Sequence, residues 1–293
     1  MRKMRKAYEG VRGADLYVEE FGDYREFLET LERRKPEEAK NTSPSDYKLT
    51  VDWNGVGSWD EAYDLLKKGW DAPVKRIVCD FDKNLAKTRE RVRRRNFASV
   101  EGFAPIPAHA VMNLPNSMIN QRTEAKKTKI LDFIIMIDRA CNVSTREIER
   151  KMSEQLAAIA SLERDFGFRC RISVSFAPFS GYAREGKTNA ACVLKVKDES
   201  QPFDIKRLAF PIVHSAMLRA LMFRWERTLS AEDGLNAPYS KYHDGGMGTS
   251  FERWRESNKK EFSGMISGNN GKVIVLDFDS KVEDVIKKGT ERR

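Results

Sequence analysis

The chain contains no apolar run near the roughly 18–20 residues that a bilayer span requires. Its basic start, Met1 to Lys6, is not followed by the apolar segment of a secretory leader. A membrane span and an export signal are therefore not expected. Cysteine and histidine are scarce, with four and three in 293 residues. Cys79, Cys141, Cys170 and Cys192 form no Cys-x-x-Cys pair, and His109, His214 and His243 have no ligand spacing with them. A zinc centre, a dithiol redox motif or a Cys–His nucleophile is not expected from such scattered residues. Cys79, Cys170 and Cys192 sit in strand-like apolar context, as reduced core thiols of a cytosolic protein do. Neither glycine-rich loop that cradles phosphates, G-x-x-x-x-G-K-[ST] or G-x-G-x-x-G, is present, and no cofactor is expected. Acidic charge is in deficit. Lysine and arginine number 53 against 44 aspartates and glutamates, a net charge of +9, which favours encounters with nucleic acid or another polyanion.

The strongest signal present is a strand–helix–strand unit. Lys129 to Asp138 is almost continuously apolar through Ile130, Leu131, Phe133, Ile134, Ile135, Met136 and Ile137. Strands buried on both faces read this way, and double burial is typical of parallel sheets. Ser144-Thr-Arg-Glu147 is a capping box. The helix it opens, Thr145 to Phe166, carries Ile148, Met152, Leu156, Ile159 and Leu162 along one stripe and stops at Gly167. The next strand, 168–176, is expected to lie parallel to the first through a right-handed crossover.

Around this unit the pattern gives further elements. An amphipathic helix is expected over 23–34 and a linker over 35–46. A second capping box, Ser58 to Glu61, opens a helix that Gly69 closes, with Trp70 as an anchor behind it. Strands are expected at 74–82, 190–197 and 272–279, an extended stretch at 103–107, loops at 113–118, 180–189 and 229–249, and a helix at 251–266. Asp204 caps a helix that Pro211 interrupts and Ser215 restarts. The expected layout is an N-terminal helix with a linker or arm (1–50), one α/β domain (51–279) and a charged tail (280–293). The fold class is α/β, with a central, mainly parallel sheet flanked by helices.

Three stretches carry candidate chemistry. Lys83 to Arg95 holds seven cations, Lys83, Lys87, Arg89, Arg91, Arg93, Arg94 and Arg95, against the single acid Glu90. Guanidinium forks suit phosphate oxygens, and Phe97 and Phe103 follow where they could stack on bases. The alternative is a solvated helix or arm whose charges pair with Glu26, Glu29 and Glu32. The second candidate is the loop after Asp138, with Asn142, Ser144 and Thr145. A von Willebrand factor A-like domain places D-x-S-x-S here, but this chain has Asp138, Ala140 and Asn142 at those positions, so a hydroxyl ligand for a Mg²⁺-type ion is lacking. No metal is assigned to it. The third is a pair of strand ends, Val78-Cys-Asp-Phe-Asp82 and Val275-Leu-Asp-Phe-Asp279, which resemble the nucleophile motif of haloacid-dehalogenase-type phosphotransferases. The first has Asn84 where that motif needs a small hydroxyl residue, and the second leaves no room for the remaining motifs. Both read as acidic turns.

Several phrases together resemble a family of tailed-phage and prophage proteins built on a domain of unknown function. They are Ser58 to Trp70, the Ile106-Pro107 to Pro115-x-x-Met118 spacing, Leu162-Glu-x-x-x-Gly167-Phe-Arg, and Phe210-Pro-x-x-x-Ser-Ala-Met-Leu-Arg219 with Phe223. The resemblance covers about residues 55–230. It implies a phage origin and a von Willebrand A-like or Rossmann-like core without an intact metal motif, and it carries no catalytic residue. The leading expectation is a non-enzymatic binding protein of the infected host's cytoplasm, with nucleic acid as partner. The alternatives are a virion or assembly component that binds other phage protein chains or further copies of itself, and a metal-dependent enzyme that uses Asp138.

Overall fold

The computed structural model describes residues 4–11, 14–34, 51–72, 94–123, 130–138, 143–176, 189–228 and 272–290. A six-stranded sheet organises most of them. Its strands are β1 (Met4–Val11), β2 (Ala14–Phe21), β6 (Ile130–Met136), β7 (Arg169–Phe176), β8 (Asn189–Lys197) and β9 (Lys272–Leu276), in the spatial order β1-β2-β8-β7-β6-β9. β6 lies parallel to both β7 and β9, and β2 lies parallel to β8. β1 with β2 and β7 with β8 are antiparallel. The sheet is therefore mixed, with most neighbours parallel. The expected parallel pairing of β6 and β7 is present, with Ile130 opposite Arg169 and Met136 opposite Ser175.

Double burial of β6 is observed directly: every residue from Leu131 to Ile137 is buried. One face, through Leu131, Phe133, Ile135, Cys170, Ile172, Val174, Cys192, Leu194 and Ile274, belongs to the main core. The other carries Ile134, Met136, Val193 and Val275, also buried. Cys170 and Cys192 are free thiols, and burial pushes the Cys170 thiol up to about 12. Both match the core-thiol expectation. Cys79 and Cys141 lie outside the described residues.

The helices are α1 (Tyr24–Arg33), α2 (Val51–Asn54), α3 (Trp59–Lys68), α5 (Thr145–Arg164), α6 (Ile205–Val213), α7 (Phe223–Arg227) and α8 (Val282–Thr290), with a short α4 (Pro107–Val111) elsewhere in the chain. Both capping boxes form. The Ser58 and Ser144 hydroxyls accept from the backbone N–H of Glu61 and Glu147, at 3.1 and 3.2 Å. Asp23 caps α1 by accepting from the N–H groups of Arg25 and Glu26. α6 runs through Pro211 rather than breaking there, because Leu208, Phe210, Ile212 and Val213 are all buried. That burial outweighs an interior proline's cost of about 3 kcal/mol. A π-helical segment, Met217–Met222, is buried along its whole length and leads straight into α7. Among the described residues no helix is long and apolar enough to cross a membrane.

The first two strands were not evident from the pattern. β1 and β2 precede the expected N-terminal helix and extend the sheet. The charged tail, 280–293, expected to be helical at its start, does form α8, and the helix packs on α5 with Val285 and Gly289 buried. A Cβ on Gly289 would come within 2.8 Å of the Leu162 methyls and push that side chain aside, so the glycine lets the two helices approach closely. The expected strand at 74–82, loop at 229–249 and helix at 251–266 lie outside the described residues.

β2 is tied to the body by Glu19. Its carboxylate accepts from Trp225 Nε1 at 2.7 Å and pairs with Arg34 at 2.8 and 3.1 Å. Glu19 is 2 % exposed. Glu19→Ala leaves the indole and guanidinium donors without their acceptor. It should lower unfolding free energy by about 3 kcal/mol, the low end for a broken buried pair because Arg34 reaches water. Denaturant unfolding with an unchanged m-value measures this.

Candidate nucleic-acid interface

Lys83, Lys87, Arg89, Arg91 and Arg93 lie outside the described residues, while Arg94 and Arg95 open a strand rather than continue a helix or arm. That strand, β3 (Arg94–Ser99), pairs antiparallel with β5 (Met118–Thr123), and a two-residue β4 (Ala104–Pro105) pairs with β5 on its other side. The register sets Arg94 opposite Thr123, Arg95 opposite Arg122, Phe97 opposite Asn120 and Ser99 opposite Met118. Directly paired positions share a face, so 95, 97, 120 and 122 lie on one face of the ribbon. The proline in β4 is tolerated because β4 is an edge.

Local contacts shape the rest of this unit. Gly102 presses on β5, and a Cβ there would come within 2.1 Å of the Ile119 carbonyl oxygen. Phe103 N–H donates to that same carbonyl at 2.9 Å. His109 Nδ1 donates to Asn116 O at 2.9 Å and fixes the loop after α4. No residue between 97 and 120 is buried. Phe103 is 64 % exposed and Val111 88 %, with Val100, Met112 and Leu114 also out in solvent. Among the described side chains the unit contributes nothing to the main core, and it presents apolar surface beside cationic positions.

The Asp138 loop is a different kind of place. Asp138 follows β6 at the carboxyl end of the strand, half-buried, and Asn142 lies outside the described residues. Ser144 is committed to capping α5, and Thr145 Oγ1 donates to the Asp52 carbonyl at 3.3 Å. Arg219, 5 % exposed, enters from the π-helical segment. It donates to Val143 O and to Trp53 O, the latter at 2.7 Å, and lies 4.7 Å from the centre of the Trp53 ring. Asn54 Nδ2 donates back to Arg219 O at 3.1 Å, and Ser215 Oγ donates to Asn54 O at 2.9 Å. Gly55, at φ +81°, sits against His214 and Ser215, where any Cβ would come within 2.8 Å of both side chains. The cation placed beside this loop is thus a guanidinium, and the hydroxyls of Ser144 and Thr145 are spent on backbone. Among the described residues no group of three or more His, Cys, Asp or Glu side chains is arranged to hold a metal ion.

The second acidic strand end also proves structural. Asp277, buried, accepts from Asp279 N and Ser280 Oγ, each at 2.9 Å. Gln155 of α5 clamps the turn by donating to the carbonyls of Asp277 and Ser280 at 2.7 and 2.9 Å. It joins β9 to α8, with Asp277 buried and Asp279 exposed to solvent. Asp80 and Asp82 lie outside the described residues.

His214 is buried between aromatic rings. Trp70 meets it edge-on at 4.4 Å and Phe210 lies at 5.1 Å. Its Nδ1 accepts from Ala216 N at 3.0 Å. Burial drops its pKa from 6.5 to about 4. The unfolded chain therefore binds a proton that the folded chain refuses between those values. Stability from this group is complete above pH 6.5 and falls as pH drops toward 4, by about 1.4 kcal/mol per pH unit. His214→Asn keeps an acceptor and does not titrate. Its unfolding free energy should fall less than the parent's between pH 7 and pH 4.5, as denaturant titration at the two pH values will show.

For Asp138, Mg²⁺ or Mn²⁺ should leave the melting temperatures of the parent and of Asp138→Ala equally unmoved. A metal-dependent rise lost in the variant would assign the loop a cation.

No curated protein and no solved structure matches the chain. A family model does: the domain of unknown function DUF7192 matches residues 5–282, so the chain belongs to that family.

Proposed function

We propose that the protein is a phage-encoded, non-enzymatic binding protein of the infected host cell, and that its partner is nucleic acid. The observation that carries this reading is the basic stretch 83–95. It holds seven cations and one acid, and its last two arginines begin a strand in a unit without buried residues between 97 and 120. Charge at that density is a solvation burden for a compact fold and an asset on a phosphate backbone. The core is of the von Willebrand A-like or Rossmann-like kind. That likeness rests on the β6–α5–β7 unit and on β9, with β8 antiparallel beside them. Such a core fixes no chemistry.

A second reading has its own support. Val100, Phe103, Val111, Met112 and Leu114 form most of the exposed large apolar residues of the described chain. A virion or assembly protein would use such a surface against other phage chains. Asp138 as the centre of a metal-dependent enzyme has the weakest support, since its neighbours Ser144 and Thr145 are engaged with backbone.

Replacing Arg91, Arg93, Arg94 and Arg95 by glutamine separates these readings. On the nucleic-acid reading, affinity falls and each lost phosphate contact lowers the salt slope by roughly 0.7–0.9. Fluorescence anisotropy at several salt concentrations measures both. An unchanged slope together with a lower melting temperature would instead give the arginines a structural role.

A further inference from the structure

The β3–β5 register sets Arg94 opposite Thr123, and the sequence on the far side of each is basic. Arg94 ends the basic stretch 83–95. Beyond Thr123 the sequence continues through Lys126, Lys127 and Lys129, opposed by Glu124 alone. Arg95 and Arg122 are directly paired across the strands. Like charges in that position destabilise an isolated ribbon. An anion resting on the ribbon removes the repulsion and gains from both charges. One residue pair further along the same face stand Phe97 and Asn120, and Phe103 lies on the adjoining edge, 64 % exposed. A duplex shows proteins its phosphates and groove edges but keeps its base faces stacked. A single strand offers those faces to aromatic side chains.

On this basis, and resting on the nucleic-acid reading above, we infer that the β3–β5–β4 sheet is a single-strand platform, with Arg94, Arg95 and Arg122 on the phosphates and Phe103 stacking on a base. Phe97 sits between the cationic end and Phe103 and lines the same path. The ligand class is single-stranded DNA or RNA, which share the base faces and phosphates used here. The assignment adds Arg122 to the interface and makes strand state the basis of selectivity.

The test compares the full-length parent with Phe103→Ala, Phe103→Trp and Arg122→Gln. Each is titrated by anisotropy with a labelled single-stranded DNA, the matching RNA, the DNA duplex and heparin, with thermal melting alongside. Phe103 is exposed, so melting temperatures should agree across the Phe103 variants. Phe103→Ala should bind single strands about tenfold more weakly or worse while its duplex and heparin affinities hold. Phe103→Trp should keep single-strand affinity, and Arg122→Gln should lower the single-strand salt slope by about 0.7. Preference of RNA over DNA, or the reverse, supports the platform and names its ligand. Equal single-strand affinity for parent and Phe103→Ala would overturn it, while duplex and heparin binding by the parent would leave the wider reading standing. Loss of self-association in Phe103→Ala with intact nucleic-acid affinity would reassign the surface to contact between copies. A parent that binds none of the four probes would overturn both proposals.

Discussion

Burial of β6 on both faces is the constraint on which the rest of the structure depends. A strand with no solvent side needs a hydrogen-bonded neighbour on each edge and a layer over each face. β7 supplies one neighbour through the α5 crossover, and β9 returns from the far end of the chain to supply the other. Fully burying the six apolar side chains Leu131, Phe133, Ile134, Ile135, Met136 and Ile137 is worth on the order of 10–15 kcal/mol in gross transfer free energy. Much of that is spent on chain ordering. The same demand explains why α8 is helical and packed, since β9 can remain beside β6 only if its following turn is anchored, as Gln155 anchors it.

Arg219 performs the corresponding task at the carboxyl end of β6. One guanidinium satisfies carbonyls from α2 and from the chain entering α5, and its own carbonyl is taken by Asn54. Trp70, just beyond the end of α3, closes over His214, the residue that caps α6, and the backbone N–H of Trp70 donates to Lys206 O at 2.9 Å. Two of the phrases behind the phage-family resemblance, 58–70 and 210–219, are therefore the two halves of one packing knot. This knot occupies the sheet end where many α/β proteins place ligands. The 94–123 unit, none of whose residues between 97 and 120 is buried, carries the proposed function instead.

Much of the fold could be read from the sequence, for identifiable reasons. β6, α5 and β7 were legible because apolar periodicity, a capping box and a closing glycine agree, and both capping boxes formed as read. β1 and β2 were missed because Met4 to Phe21 mixes charged and aromatic residues without clean alternation, so their pairing with β8 rests on tertiary context. β8 lacks the continuous apolar run that marks β6, so its sequence alone did not tell antiparallel from parallel pairing with β7. The helix through Pro211 shows tertiary burial overriding a local breaker. Asp138 stands just after β6, at the carboxyl end of the strand, but the long-range hydrogen bonds of Thr145 and Arg219 could not be foreseen. Arg94 and Arg95 were singled out by charge. Their partner Arg122 escaped notice because only the β3–β5 register brings it near.

The central claim is that nucleic acid meets this protein on the basic ribbon rather than at the sheet end. Photocrosslinking of the full-length protein to a single-stranded oligonucleotide, followed by mass spectrometric mapping of the attached nucleotides, tests it most directly. The account predicts crosslinks concentrated in 83–129, with Phe97 or Phe103 among the modified residues. Crosslinks confined to the Asp138–Arg219 end of the sheet, or none at a concentration that saturates binding, would contradict it.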